Sequence, residues 1–145
     1  MTIGKKYRFG KYTWTLLDIQ DGKGLFLLSG LLKERKAFHD TFEDITWERS
    51  DLCVWVCEWL EKNFTAKQLW QMITFDLLSV EEYQKYKHLI PKVPHWWWLR
   101  SQYAPTYVVG VYGHGKMFST NTHDGNLGGV RPALWVELPK GGGTE

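Results

Sequence analysis

The sequence predicts an α+β domain, with a mainly antiparallel sheet formed by both chain ends and two to three helices in the middle. Three observations lead there. Short apolar runs separated by turn residues fill the first thirty residues. Segments with helix-capping signals follow. The last third returns to short runs rich in Val, Trp and Tyr, broken by glycines. The chain has 145 residues, which fits one domain over residues 1–139, and residues 140–145, "KGGGTE", are expected to form a flexible tail.

The elements can be justified in order. "KYRFGKYTWTLLDI" alternates in part, and "GLFLLS" is a short apolar run after the turn "QDGKG", so the two read as an antiparallel hairpin. "GLLKERKAFHDTFEDITW" mixes polar and apolar residues without a strong period and reads as a loop with a helical turn. Ser50 can cap "DLCVWVCEWLEKNF", with Asp51 at the positive helix end. Leu52, Trp55, Val56, Trp59 and Leu60 then share one face. Thr65 opens "TAKQLWQMIT", and Gln68 completes a capping box. Ser79 opens "SVEEYQKYKHLI" with Glu82 in the same relation, and Pro91 stops it. "FDLLS" between them is a short extended segment.

The final strands are "HWWWLRS", a hairpin of "TYVVGVYG" and "GKMFSTN" across "GHG", and a closing "GGVRPALWVEL". Pro132 implies an edge, a bulge or a strand start. Residues 7–18 are expected to pair with residues 132–138. Alternation puts Trp96 and Trp98 on one face of their strand, Trp97 and Leu99 on the other. Trp97, Leu99 and Trp135 are expected in the core.

Composition excludes several classes. The net charge of +2 is too small to imply nucleic acid, and the basic clusters at Lys5, Lys6, Arg8 and Lys11 and in "KERK" read as solvated faces. No stretch approaches the ~20 apolar residues of a membrane span. "MTIGKKYRFGKY" lacks the apolar core of a signal peptide. Cys53 and Cys57 lie four apart in a helical pattern, which suits a disulfide poorly; they are expected as buried thiols in a reducing, cytoplasmic setting. The histidines, His39, His88, His95, His114 and His123, show no ligand spacing with them, so no metal and no cofactor are expected.

"WWLRS", an aromatic and glycine-rich hairpin, and then "GVRPALW" carry a resemblance. The combination resembles a bacterial and phage family, domain of unknown function (DUF) 6273. "FGKYTWTLLD", "LFLLS", "ITWERSDLCVWV" and "FDLLSVEEYQKY" extend it to most of residues 4–138. Cys53 and Cys57 depart from it, standing where the family has Arg and Asn. The resemblance implies a C-type-lectin-like fold, similar to variable proteins of diversity-generating retroelements and distantly to formylglycine-generating enzymes. It also allows a phage-associated setting.

The functional expectation is a non-enzymatic binding domain with a protein ligand. No "GxSxG" or Cys/His nucleophile signature appears. Formylglycine-generating chemistry, which in that family uses a C-terminal cysteine pair, is disfavoured because no cysteine follows residue 57. A small phage or mobile-element protein that inhibits or scaffolds a host factor is the alternative. In the variable proteins, residues between the two motifs contact the ligand. Here that segment offers Tyr103, Tyr107, Tyr112, His114, Ser119, Asn121, His123 and Asn126, residue types suited to adaptable binding surfaces. Trp97, Arg100, Arg131 and Trp135 are read as framework. Each arginine is expected to clamp loops, with Asp124 or Glu137 as a partner.

Overall fold

In the computed structural model, which describes residues 1–139, the first apolar run breaks at Gly10. Gly10 sits at φ 64°, and a Cβ there would come within 2.6 Å of the Phe64 ring. The break separates β1 (Lys6–Phe9) from β2 (Tyr12–Gln20). A second tight turn, with Asp21 and Gly22 both at positive φ, joins β2 to β3 (Lys23–Leu28). The N-terminal region is thus three antiparallel strands where one hairpin was expected.

Both chain ends meet in one sheet of order β1-β2-β3-β10-β5, with β5 at Met72–Asp76 and β10 at Ala133–Glu137. Residues 7–18 do not pair directly with residues 132–138. The tight turn makes β3 the immediate neighbour of β2, and β10 adds to the far edge of β3 through Leu134↔Phe26 and its neighbours. Pro132 precedes the strand start, so a central position is open to β10, and its carbonyl accepts the Leu28 N–H.

A second sheet has order β4-β9-β6-β7-β8, formed by β4 (Arg35–Lys36), β6 (Trp97–Ala104), β7 (Tyr107–Val111), β8 (Met117–Asn121) and β9 (Gly128–Gly129). The sheet built from both chain ends is the expected one, and this second sheet stands beside it. All pairings are antiparallel except β6 with β9. The double glycine of β9 has a steric reason. A Cβ on Gly128 would lie 2.5 Å from the Trp98 indole nitrogen and 2.6 Å from Trp96.

α1 (Asp51–Asn63) begins where Ser50 accepts the Cys53 N–H. α2 (Ala66–Gln71) and α3 (Val80–Tyr86) both open with complete capping boxes. α2 is shorter than "TAKQLWQMIT". At Met72 the chain leaves the helix to pair with β10, and the run Met-Ile-Thr-Phe suits a strand as well as a helix.

Two apolar clusters each draw on both sheets. One gathers Trp14, Leu16, Phe26, Leu28, Trp96, Trp98 and Leu134 under the Leu52–Val56–Trp59–Leu60 face of α1. The other gathers Leu25, Leu27, Trp97, Leu99, Val109 and Val111 with Tyr83 and Tyr86 of α3. Strand alternation therefore divides consecutive aromatic residues between two buried faces. Trp135 is only half-buried, contrary to expectation; its cross-strand neighbour on β5 is the exposed Thr74, so its outer side lacks cover. Cys53 and Cys57 are free thiols and half-buried rather than buried, because they flank the inward face of α1. No helix among the described residues is long and apolar enough to cross a membrane. The tail expected at 140–145 lies outside the described residues.

Candidate functional site

The motif residues explain themselves by what they hold. Arg100 Nη1 donates to the Leu77 carbonyl at 2.7 Å and to Glu82 Oε1 at 2.6 Å. The Arg100 N–H donates to the Leu78 carbonyl, and Ser101 Oγ accepts the Val80 N–H at 2.9 Å. The Arg-Ser pair therefore fixes the first turn of α3, where Glu82 also closes the capping box with Ser79. Two segments more than ten residues apart in sequence form one hydrogen-bonded unit.

Arg131 is 0% exposed. Its Nε donates to the Leu28 carbonyl at 2.8 Å, and its Nη2 to the carbonyls of Ser29 (2.6 Å) and Pro91 (2.9 Å). The guanidinium lies 4.8 Å from the centre of the Trp97 ring. Burial lowers its pKa to about 10, opposed by the neighbouring Tyr83, so it keeps its charge at neutral pH. Both arginines clamp loops, but neither uses Asp124 or Glu137. Asp124 is spent on its own turn, accepting from the Thr120 hydroxyl and the Asn126 N–H, and Glu137 is exposed. The reason is local: three carbonyls from two chain segments already surround the Arg131 fork.

The eight residues expected to bind ligand are spread over both ends of β7. β7 separates them, since Tyr107 and Tyr112 stand roughly 17 Å apart at ~3.4 Å per residue. At one end lie Tyr103, 74% exposed, and Tyr107, 40% exposed. Asn121 pairs with Tyr107 across the ladder, and its side-chain oxygen is shielded without a partner among the described residues. His123 and Asn126 are exposed in the following loop, and His123 Nδ1 lies 3.4 Å from the His39 carbonyl. Ser119 and Tyr103 line a hollow of about 370 Å³ with Val80, Val109 and Met117.

At the other end Tyr112 stacks on Phe118, 4.2 Å between ring centres, and on His114 at 5.3 Å. Tyr112 thus extends an aromatic row from Trp96 through Phe118.

The loop at residues 39–44 contributes a residue that the sequence left unmarked. Phe42 is 58% exposed and meets Tyr107 edge to face at 6.4 Å. Three bonds bring the loop there: the His39 N–H to the Thr122 carbonyl, the Thr122 hydroxyl to the Thr41 carbonyl, and Gln102 Nε2 to Asp44. No local signal announces this, because the partners are some eighty residues away.

His39, Asp40 and Asp51 gather ligand-bearing atoms within 4.8 Å, a grouping not foreseen from histidine and cysteine spacing. The contacts have a capping role. The Asp51 N–H donates to His39 Nδ1, and Asp51 Oδ2 accepts the Asp40 N–H, bracing the start of α1. Burial pushes the Cys53 thiol up to about 11, and the acidic Asp76 adds to the shift. It is therefore not poised as a thiolate.

No curated protein and no solved structure matches the chain. Residues 74–138, from β5 through the Arg100 and Arg131 clamps to the end of β10, match the family described as Domain of unknown function (DUF6273).

Proposed function

We propose that this is a non-catalytic binding domain that engages a protein partner through the end of the second sheet bearing Phe42, Tyr103 and Tyr107. The observation that carries the reading is this exposed aromatic group, with Gln102 and His123 bonded to the loop that carries Phe42. Tyr and Phe present large, stiff contact area at low entropic cost, and such residues dominate binding energy at protein interfaces. The hollow beside Tyr103 offers room for a partner's side chain. The framework beneath is held by Arg100 and by Thr122, so the surface is ordered before binding.

A variable protein of a diversity-generating retroelement is the narrower form of this reading, supported by the resemblance and by the position of Tyr103 and Tyr107 between the two motifs. An adenine-rich template repeat beside the gene would establish it. A formylglycine-generating activity is disfavoured, because the C-terminal cysteine pair of that chemistry has no counterpart after residue 57.

The test compares capture of host proteins by the intact chain, by Phe42→Ser/Tyr103→Ser/Tyr107→Ser, and by Trp70→Ser on α2, whose ring is almost fully exposed elsewhere. A partner retained by the Trp70 variant and lost by the triple variant is expected. The reverse pattern would place the binding surface on α2 and overturn the reading.

A further inference from the structure

The loop between β7 and β8, the turn at Lys87–Leu89 and the segment Ile90–Pro91–Lys92 enclose a cavity of about 320 Å³, near the lower end for small-ligand sites. Its walls are fixed. The Tyr83 hydroxyl donates to the Gly115 carbonyl at 2.7 Å, tying α3 to the hairpin loop. Gly113 packs so closely that a Cβ would lie 2.3 Å from the Val93 carbonyl oxygen. Tyr112 and Lys116 close the loop with a backbone bond of 2.8 Å.

The charge in this cavity is one-sided. Arg131 lines it from the buried side, and Lys87, Lys92 and Lys116 line it with exposed side chains, joined by His88 and His114. No Asp or Glu is among the lining residues. Arg131 spends Nε and Nη2 on three carbonyls, while its Nη1 has no partner among the described residues. Arg131 as a residue is fully buried, yet Nη1 is not among the buried polar atoms left without a partner, so this donor opens onto the cavity.

Ligand charge decides between candidate anions. A lone carboxylate carries one negative charge against the four cations that line the cavity. A phosphoryl group carries about two negative charges at neutral pH, with three acceptor oxygens. Lysines serve phosphate as point charges, and Arg131 supplies a directed donor. Ile90, Pro91 and Val111 leave an apolar part of the wall for a small organic group.

We propose that this cavity binds a small phosphorylated molecule, with the phosphoryl group on Arg131 Nη1 among Lys87, Lys92 and Lys116. The site lies at the opposite end of β7 from Tyr107 and does not depend on the protein-binding reading.

The test is an NMR titration of the full chain, following the Trp97 indole and the β7–β8 loop amides. Inorganic phosphate and phenyl phosphate are added at fixed pH and ionic strength, with acetate as the control. Saturable shifts are expected with the phosphates and not with acetate; the tighter of the two tells free phosphate from an organic phosphate. Lys92→Gln/Lys116→Gln should weaken binding about tenfold, and Lys5→Gln/Lys6→Gln on the first sheet should leave it unchanged. Shifts no larger than those from acetate, or equal weakening in both double variants, would overturn the proposal. The rim variants leave the Arg131 clamp intact, so loss of binding in them is not loss of the fold.

Discussion

Strand β6 changes character within seven residues. At its start Trp97 is 2% exposed and Trp98 is fully buried, one against α3 and the other against α1. At its end Tyr103 stands 74% exposed. The register shifts between Trp98 and Gln102 and again before Ala104, so the strand's end is irregular where its start is paired. Aromatic content alone therefore does not mark function. Indoles with fixed partners, such as the Trp98 Nε1 that donates to the Lys36 carbonyl at 2.9 Å, hold the fold. Tyrosines past the irregularity are free to meet something else.

The largest effect is expected at the buried end. Trp98→Ala should cost about 3–5 kcal/mol, because it opens a cavity between Phe38 and Trp96 and abandons the Lys36 carbonyl. Urea unfolding at unchanged m-value measures this. An effect below about 1 kcal/mol would mean that the cluster repacks freely.

The two arginines differ in the same way at smaller scale. Arg131→Ala should cost roughly 3 kcal/mol, since it leaves the Leu28, Ser29 and Pro91 carbonyls without a donor. Arg100→Ala should cost only about 1 kcal/mol, because its pair with Glu82 is partly open to solvent. Equal losses in the same urea experiment would show that burial does not separate the two clamps.

Much of this was legible in the sequence. The capping boxes at Thr65 and Ser79, the Ser50 cap and the alternation of Trp96, Trp97 and Trp98 follow from local rules, and local rules suffice for such features. What was not legible depends on long-range pairing. The insertion of β3 between β2 and β10, and the second sheet around β6, follow from which edges remain open after the tight turns form. At the candidate site the residue types were readable and their distribution was not. Tyr103 and Tyr107 fall at one end of β7 and Tyr112 at the other, because strand direction, not sequence proximity, sets distance. Phe42 reached the surface through bonds to Thr122 that no motif signals.

The far end of β6 and its neighbours are exposed, and their side chains are displayed rather than structural. The most direct measurement is the melting temperature of Phe42→Ser/Tyr103→Ser/Tyr107→Ser beside that of the unaltered chain. Exposed substitutions away from special backbone positions usually fall within about 0.5 kcal/mol each, so a shift of only a few degrees is predicted. Loss of the cooperative transition, or a drop as large as that of Trp98→Ala, would show instead that these rings are core.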